Sequence, residues 1–182
     1  LIVDSDCDGV DGDVANAIFV REGEVAGDGS LAAPFGSIGE AVAALDVTSP
    51  AATAATPILV AGGVYEEAVV VAKGMVMHGG YSEDFAARDI VLYPTLIVAN
   101  ESQLATGAYG TVTATGIDQP TEIVGFTIVG WDATSQGTST YALYVHDSTS
   151  ALVVANCVIV GGRAGAGTPG GNGTPGGGGA DG

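Results

Sequence analysis

The spacing of apolar residues is helical in one short stretch of the chain. The apolar stripe of that stretch is Ile38, Ala41, Val42 and Leu45. Ser37 precedes the stripe and Glu40 follows three residues later, which is the pattern of a helix-capping box. We therefore predict a short, one-sided helix near residues 37–46, whose apolar stripe must cover another part of the protein.

Elsewhere the apolar residues alternate with a period of two, which indicates β-strands. Residues 17–20 form one such run before the helix, and residues 58–60 and 68–71 form two more after it. Gly62 and Gly63 separate the last two runs and indicate a turn.

A six-residue unit recurs at residues 74–79, 125–130 and 156–161. Each copy begins with Gly or Asn, has apolar residues at its second and fourth positions, and ends in Gly. Gly and Asn tolerate the left-handed backbone that a sharp bend between strands requires. The apolar positions, which we expect to point inward and stack, are Met75/Met77, Phe126/Ile128 and Cys157/Ile159.

The copies lie 51 and 31 residues apart, and a weaker copy near Asn100 would divide the longer interval. Repeats in the twenties to low thirties are typical of one coil of a β-solenoid with loop insertions. A β-sandwich would explain the alternation but not the recurring unit or the single helix. The pattern therefore favours a solenoid.

Composition agrees with a long buried interior joined by tight turns, because 47% of the residues are apolar, only 14% are charged and 30 are Gly. We predict an Asp-rich loop over residues 1–16, a β-solenoid over 17–162 and a flexible Gly-rich loop or tail over 163–182. The start at Leu1 and the Gly-rich end are typical of a fragment.

The charge balance restricts the partners, since 4 Lys and Arg stand against 21 Asp and Glu, a net charge of −17. Such a field repels phosphate backbones and anionic membranes, so nucleic acid is excluded as a partner, while divalent cations are attracted. No apolar run is long enough for a membrane span.

The sharpest chemical motif is an acidic loop at the start of the chain. Its candidate calcium ligands are the carboxylates of Asp4, Asp6 and Asp8, the carbonyl of Val10, and Asp11 or Asp13. Alternating carboxylates followed by Gly9 match the first half of an EF-hand loop, which wraps one hard cation. Ala15 stands where a bidentate Glu would complete that loop, so Asp11 or Asp13 must close the site. We predict a structural Ca²⁺ site; a solvated acidic linker is the alternative.

Other candidate residues are scattered. His78 and His146 are too separate for a metal site, and the neighbouring His146 and Asp147 should face opposite sides of a strand. Asp118, Asp132 and Asp147 are isolated acids in predicted loops, whereas hydrolases need paired carboxylates. The sequence thus favours a non-catalytic protein over an enzyme without settling the choice.

Two further sets of residues leave alternatives open. The aromatic residues of the second half are Tyr109, Trp131, Tyr141 and Tyr144. If exposed they could stack on neutral sugar rings; otherwise they anchor loops. Cys157 is a small buried residue, a disulfide partner of Cys7, or a partner of a cysteine outside this sequence.

Three ordered segments resemble bacterial secreted pectin-lyase-like right-handed parallel β-helix proteins of the DUF1565 type. They are the Asp-Gly-Ser…Pro-Phe-Gly-Ser-Ile segment of residues 27–42, the Gly-Val-Tyr-Glu-Glu turn of residues 63–67, and the Gly-Gly-Tyr…Phe…Arg-Asp segment of residues 79–89. The resemblance implies an all-β, single-stranded right-handed parallel β-helix whose short N-terminal helix caps the first coil.

Members of this family include polysaccharide-active enzymes and non-catalytic surface proteins, so the fold alone does not choose a function. We expect a non-catalytic extracellular or bacterial cell-surface protein of structural or adhesin type, stabilised by Ca²⁺ and able to assemble into fibres. The alternative is a polysaccharide lyase, hydrolase or carbohydrate-binding domain. The expected partners are a second copy of the chain or a surface glycan.

Overall fold

Parallel β-strands make up most of the regular structure in the computed structural model, which describes residues 16–45, 56–104, 108–173 and 176–179. The one α-helix of these residues is α1 (Ile38–Ala44). The strands are β1 (Ile18–Val20), β2 (Pro57–Ala61), β3 (Gly63–Tyr65), β4 (Val69–Val70), β5 (Val76–Tyr81), β6 (Thr95–Val98), β7 (Val112–Thr115), β8 (Thr121–Val124), β9 (Phe126–Val129), β10 (Leu143–His146), β11 (Leu152–Ala155) and β12 (Val158–Val160).

The strands form three sheets, and every strand pair within them is parallel. The first sheet has the order β1-β2-β5-β8-β11, the second β3-β6-β9-β12 and the third β4-β7-β10. From β2 to β10 the chain passes through the first, second and third sheets in turn, three times in succession. The described residues therefore form a mostly parallel all-β structure with one short α-helix.

One hydrophobic core lies between the three sheets. In the first sheet Ile58 is paired with Met77, and Met77 with Ile123. In the second sheet Ile97 is paired with Ile128. All five side chains are fully buried, because in-register parallel pairing places equivalent residues of successive strands side by side on the same face.

The predicted helix is confirmed, including its start. The backbone N–H of Glu40 donates to Ser37 Oγ at 3.2 Å, and the N–H of Ser37 donates to Glu40 Oε2 at 3.2 Å. Ile38 and Ala41 are fully buried against the core. The apolar stripe thus covers the core beside β1 and β4, which α1 contacts.

The three predicted strands are also confirmed, as β1, β2 and β4. The segment between β2 and β4 is more than the predicted turn, since residues Gly63–Tyr65 pair with β6 as strand β3. The N–H of Val64 in β3 donates to Glu22 Oε2 at 3.3 Å, and a Cβ on Gly63 would lie 3.0 Å from the same oxygen.

The left-handed positions of the six-residue unit are confirmed. Gly74, Gly125 and Asn156 have φ angles of 77°, 82° and 52°. Gly125 separates β8 from β9, and Asn156 separates β11 from β12, so each bends the chain from the first sheet into the second.

The proposed equivalence of all three copies is wrong. Residues 125–130 and 156–161 contribute β9 and β12 to the second sheet, whereas residues 74–79 contribute to β5 in the first. The true counterpart of β9 one layer earlier is β6, with Ile97 opposite Ile128. A short apolar alternation looks alike in any half-buried strand, and only the pairing shows which sheet the strand joins.

The last strands of the three sheets have apolar side chains that are only partly covered by the described residues. Ile159 stands in the buried row of Ile97 and Ile128 but is 50% exposed, and Val158 of the same strand is 58% exposed. Val145 of β10 is paired with the fully buried Ala114 but is 48% exposed, whereas Val153 of β11 is paired with Glu122 and lies on the outer face. We call these residues, with β10, β11 and β12, the strand edge.

The Gly-rich stretch after β12 has no strand among its described residues, but its start is hydrogen-bonded. The N–H of Ala133 donates to the carbonyl of Arg163 at 2.8 Å, and that of Gly165 donates to the carbonyl of Thr138 at 2.9 Å. Residues 163–166 therefore lie along the loop that follows β9.

A membrane-crossing helix, long and apolar throughout, does not occur in the described ranges.

Candidate functional site

The outer face of the third sheet has two aromatic side chains on its last strand. Tyr144 and His146 of β10 are two residues apart, so they lie on the same face. Their ring centroids are 6.2 Å apart and their planes differ by 11°. Tyr144 is paired with Thr113 of β7, and His146 with Thr115.

Two further tyrosines join this pair. The ring centroid of Tyr109 lies 5.0 Å from that of Tyr144, and the ring of Tyr141 lies 5.4 Å from it in an edge-to-face arrangement. Tyr109 is 57% exposed and Tyr141 is 44% exposed. We call Tyr109, Tyr141, Tyr144 and His146 the aromatic patch.

Buried threonines hold the segments that present these tyrosines. Thr113 is fully buried, and its Oγ1 accepts from the N–H groups of Tyr109 at 2.9 Å and Gly110 at 3.0 Å. The N–H of Thr111 donates to the carbonyl of Tyr141 at 3.0 Å. Both exposed tyrosines are therefore tied by their backbones to β7, and the patch is placed by the sheet rather than by free loops.

Trp131, the fourth aromatic candidate, does not belong to the patch. It is 5% exposed, and its Nε1 has no hydrogen-bond partner among the described residues. Three of the four candidates thus come together at the surface, and the tryptophan packs inside. Thr113 and its strand partner Tyr144 lie 31 residues apart, the same offset that relates the six-residue units at 125–130 and 156–161. This shared offset could have indicated from sequence that the tyrosines lie together.

The expectation that His146 and Asp147 face opposite sides is wrong. His146 Nδ1 lies 3.1 Å from Asp147 Oδ2. Strand β10 ends at His146, and Asp147 has a left-handed backbone with φ of 49°, so strand alternation no longer applies. The pair borders the aromatic patch with side chains 59% and 80% exposed.

His78 lies on the side of the first sheet opposite to Met77 and the main core, because neighbouring residues of a strand face opposite sides. It is buried nonetheless, with 9% of its surface exposed. Its Nε2 is 3.7 Å from Glu122 Oε2 of the neighbouring strand β8.

The isolated acids each have a nitrogen partner. Asp118 forms an ion pair with Lys73 at 2.9 Å, and this contact lowers the pKa of the Asp118 carboxyl. Asp132 accepts from the N–H of Arg163 at 2.7 Å.

The predicted calcium site lies outside the described residues, as do Asp4, Asp6, Asp8, Val10, Asp11 and Asp13. Within the described ranges, no three His, Cys, Asp or Glu side chains are grouped so that they could hold a metal ion.

Two residues of the Gly-Val-Tyr-Glu-Glu turn have structural roles. The Tyr65 hydroxyl donates to the carbonyl of Ala61 at 3.0 Å and accepts from the N–H of Glu22 at 3.2 Å. Its burial raises the pKa of Tyr65. Glu67 accepts from the N–H groups of Ile38 at 2.7 Å and Gly39 at 2.8 Å, which attaches α1 to the loop between β3 and β4. Burial raises the pKa of Glu67, and these two hydrogen bonds partly offset that rise.

The Gly-Gly-Tyr…Phe…Arg-Asp segment folds over the outer face of the first sheet. Phe85 is 3% exposed and packs edge-to-face on Phe19, with centroids 4.9 Å apart. Arg88 Nε donates to the carbonyl of Gly79 at 2.9 Å, and its guanidinium lies 5.4 Å from the Tyr81 ring centroid. This second hydrophobic cluster covers the sheet, so these motif residues stabilise the fold.

A shallow apolar groove of about 330 Å³ lies beside the junction of β2 and β3. Its lining residues are Gly62, Gly63, Val64, Tyr81, Glu83, Leu92, Tyr93, Pro94 and Leu96. Leu92 is 70% exposed at its rim.

Cys157 is half-buried at the edge of the core, with Sγ 3.3 Å from the carbonyl oxygen of Ala155. Cys7 lies outside the described residues, so both disulfide alternatives for Cys157 stay open.

The chain matches no known protein-family model, and neither a curated protein nor a solved structure is significantly similar to it.

Proposed function

We propose that the three parallel sheets form a right-handed single-stranded parallel β-helix of the pectin-lyase-like kind, with α1 as its N-terminal cap. The repeated passage through the three sheets in one order supports this arrangement, because each passage corresponds to one coil. Right-handedness follows from the strong preference of connections between parallel strands of one sheet. The motif residues that suggested the family, Tyr65, Glu67 and Phe85, all stabilise the fold at its N-terminal half.

We propose that this protein is a non-catalytic extracellular or cell-surface component of structural or adhesin type. The observation that supports this role best is the continuous stack of parallel strands on one core, which presents long outer faces to partners. The net charge of −17 keeps such a surface hydrated and directs it away from polyanions.

Incubation of the protein with neutral and acidic polysaccharides tests this role. We expect no new reducing ends and no unsaturated uronic-acid product, with heat-treated protein as the blank. Either product in excess of the blank would overturn the non-catalytic role in favour of a lyase or hydrolase.

We also propose that the N-terminal acidic loop binds Ca²⁺. The support is the alternation of Asp4, Asp6 and Asp8 before Gly9, since carboxylates this close repel one another unless a cation lies between them. Asp11 or Asp13 would complete the ligand set. The cation would supply charge neutralisation and cross-linking of the loop.

Thermal unfolding with and without a chelator tests the calcium proposal. We expect Ca²⁺ to raise the melting temperature of the wild type, since a ligand that binds only the folded state stabilises it. The double variant Asp4→Asn/Asp6→Asn should lose this response, while Asp132→Asn, in a loop far away in sequence, should keep it. An unchanged melting temperature of the wild type on chelation would rule out a structural Ca²⁺ site.

A carbohydrate-binding role is the second candidate, and the aromatic patch favours it. Exposed groups of aromatic side chains that are held in place by a rigid sheet are typical of recognition surfaces.

A further inference from the structure

We propose that the aromatic patch of Tyr109, Tyr141, Tyr144 and His146 binds the apolar faces of neutral pyranose residues in a glycan chain. This inference rests on the proposed extracellular role only in that it takes a glycan as the partner.

The ring geometry defines an open platform. The centroids of Tyr109 and Tyr141 lie 5.0 and 5.4 Å from that of Tyr144, so both rings contact the Tyr144 ring directly. No space is left between the Tyr144 ring and either neighbouring ring for a cationic group, which an aromatic cage would need. Tyr109 and Tyr141, which are 57% and 44% exposed, are instead available to a partner that stacks on each ring separately.

The pyranose ring of a common hexose presents such a face, because its axial C–H bonds form an apolar surface while its hydroxyls point outward. Stacking on tyrosine buries this surface, and the tyrosine hydroxyls stay at the rim, where they can hydrogen-bond. The row of rings continues to His146 at 6.2 Å from Tyr144, so the platform accommodates more than one sugar of a chain.

Charge selects neutral sugars over acidic ones. Uronic-acid polymers are repelled by the net charge of −17. A carboxylate-binding site would need Lys or Arg beside the patch. Arg21 and Lys73 are already in ion pairs with Glu24 and Asp118.

The polar rim fits sugar hydroxyls. The Asp147 carboxylate accepts hydrogen bonds, and its side chain is 80% exposed next to His146. The carbonyl of His146 is held by the N–H of Gly116 at 2.9 Å, so this end of the platform is also fixed by the sheet. A platform already in its binding geometry loses little conformational entropy on association.

Calorimetric titration of the full chain with cellohexaose, laminarihexaose, mannohexaose and xylohexaose tests the proposal, with hexagalacturonate as the acidic probe and tetramethylammonium as the cationic one. We expect saturable binding of at least one neutral hexasaccharide, at least about tenfold tighter than either charged probe. Tyr109→Ala/Tyr141→Ala should weaken this binding about tenfold or more, because two stacking contacts are lost.

Two controls separate ring stacking from other effects. Tyr109→Phe/Tyr141→Phe keeps the rings and should retain most of the affinity. Leu92→Ala removes a similarly exposed apolar side chain at the groove and should leave the affinity unchanged. Circular dichroism of each variant confirms that it is folded.

The failure of this inference is distinct from that of the proposed function. No binding of any neutral hexasaccharide, or binding that survives Tyr109→Ala/Tyr141→Ala, would overturn the glycan site and leave the non-catalytic role intact. Tighter binding of hexagalacturonate or tetramethylammonium would overturn the neutral class. Cleavage of a bound glycan would instead overturn the non-catalytic role.

Discussion

Two glycines face each other where the chain turns from the first sheet into the second. A Cβ on Gly125 would lie 3.0 Å from the carbonyl oxygen of Gly79 and 2.8 Å from Ile90 Cγ2. A Cβ on Gly79 would lie 2.9 Å from the carbonyl oxygen of Gly125. Gly125 also has a φ of 82°, so this position excludes a side chain both by space and by backbone conformation.

Gly125→Ala should therefore lower the free energy of unfolding by about 3 kcal/mol, the sum of left-handed strain and crowding. Gly137→Ala is the matched control, because Gly137 has a φ of 71° but a Cβ there would meet nothing within 4 Å. Gly137→Ala should lower the free energy of unfolding only by the left-handed strain, which is about 1 kcal/mol. Urea unfolding measures the loss of stability in both variants. Equal losses in Gly125→Ala and Gly137→Ala would contradict a role for the close approach of Gly125 to Gly79 and Ile90.

Residue type predicted some of these backbone positions. Gly74, Gly125 and Asn156 were indicated because few other residues adopt a left-handed backbone at low cost. Asp147 was missed, and with it the contact to His146. Its left-handed φ depends on where β10 ends, and the local apolar pattern does not show that end.

At the scale of elements, α1 is attached to the sheets by a carboxylate from outside the helix. Glu67 accepts from two N–H groups of the first helical turn, Ile38 and Gly39, which no intrahelical carbonyl can reach. Because Ile38 is fully buried, loss of Glu67 would leave a donor of a buried residue without its partner.

Glu67→Ala should lower the free energy of unfolding by about 1–3 kcal/mol. Folding raises the pKa of Glu67 above its ordinary value of 4.5, so folding takes up protons near that pKa. The advantage of the wild type over Glu67→Ala is therefore largest below pH 4.5 and decreases as the pH rises through the raised pKa.

Urea unfolding at several pH values measures this difference. Glu66→Ala is the matched control, since Glu66 is exposed and its hydrogen bond to Gln103 uses the backbone carbonyl, which alanine retains. Similar losses for the two variants, or a gap that widens with pH, would contradict the proposed attachment.

The helix was predictable because its capping box and apolar stripe are local patterns. The assignment of strands to sheets was not, as the misplaced unit at residues 74–79 shows. The strand partner of Met77 is Ile123, far away in sequence, and the loops between them vary too much in length for a simple period to reveal the pairing.

At the scale of the whole molecule, the apolar strand edge and the acidic surface have opposing effects on self-association. Strands β10, β11 and β12 contain neither Lys nor Pro, residues that commonly protect an edge from pairing with another chain. An apolar edge of this kind can pair with a second copy of the chain wherever nothing else covers it. The net charge of −17 on each copy works against that contact.

Association should therefore increase with salt, because screening weakens the repulsion but not the apolar contact. Sedimentation velocity should show a larger species at about 0.5 M than at about 0.02 M NaCl. Ile159→Lys should abolish the larger species. Val25→Lys, at an 88% exposed position away from the edge, should leave it unchanged. A monomer at both salt concentrations would contradict this prediction.

The aromatic patch could be predicted only in part. The tyrosines and their chemistry were visible in the sequence, but Tyr109 and Tyr141 come together only because β7 and β10 are neighbours in the third sheet. Trp131 has the same residue character and is buried. Exposure depends on tertiary packing, which composition does not show.

The spacing of the core rows has a consequence for how this protein can change. From Ile58 to its partner Met77 the chain takes 19 residues, from Met77 to Ile123 it takes 46, and from Ile123 to Val154 it takes 31. The same strand pairing thus accommodates connections that differ more than twofold in length. Insertions in these loops should lower the stability of the fold only slightly during evolution, because a longer surface loop adds little to the entropic cost of loop closure. The exposed turn at Gly137, with open space around it, is accordingly a site where a foreign peptide could be grafted for display.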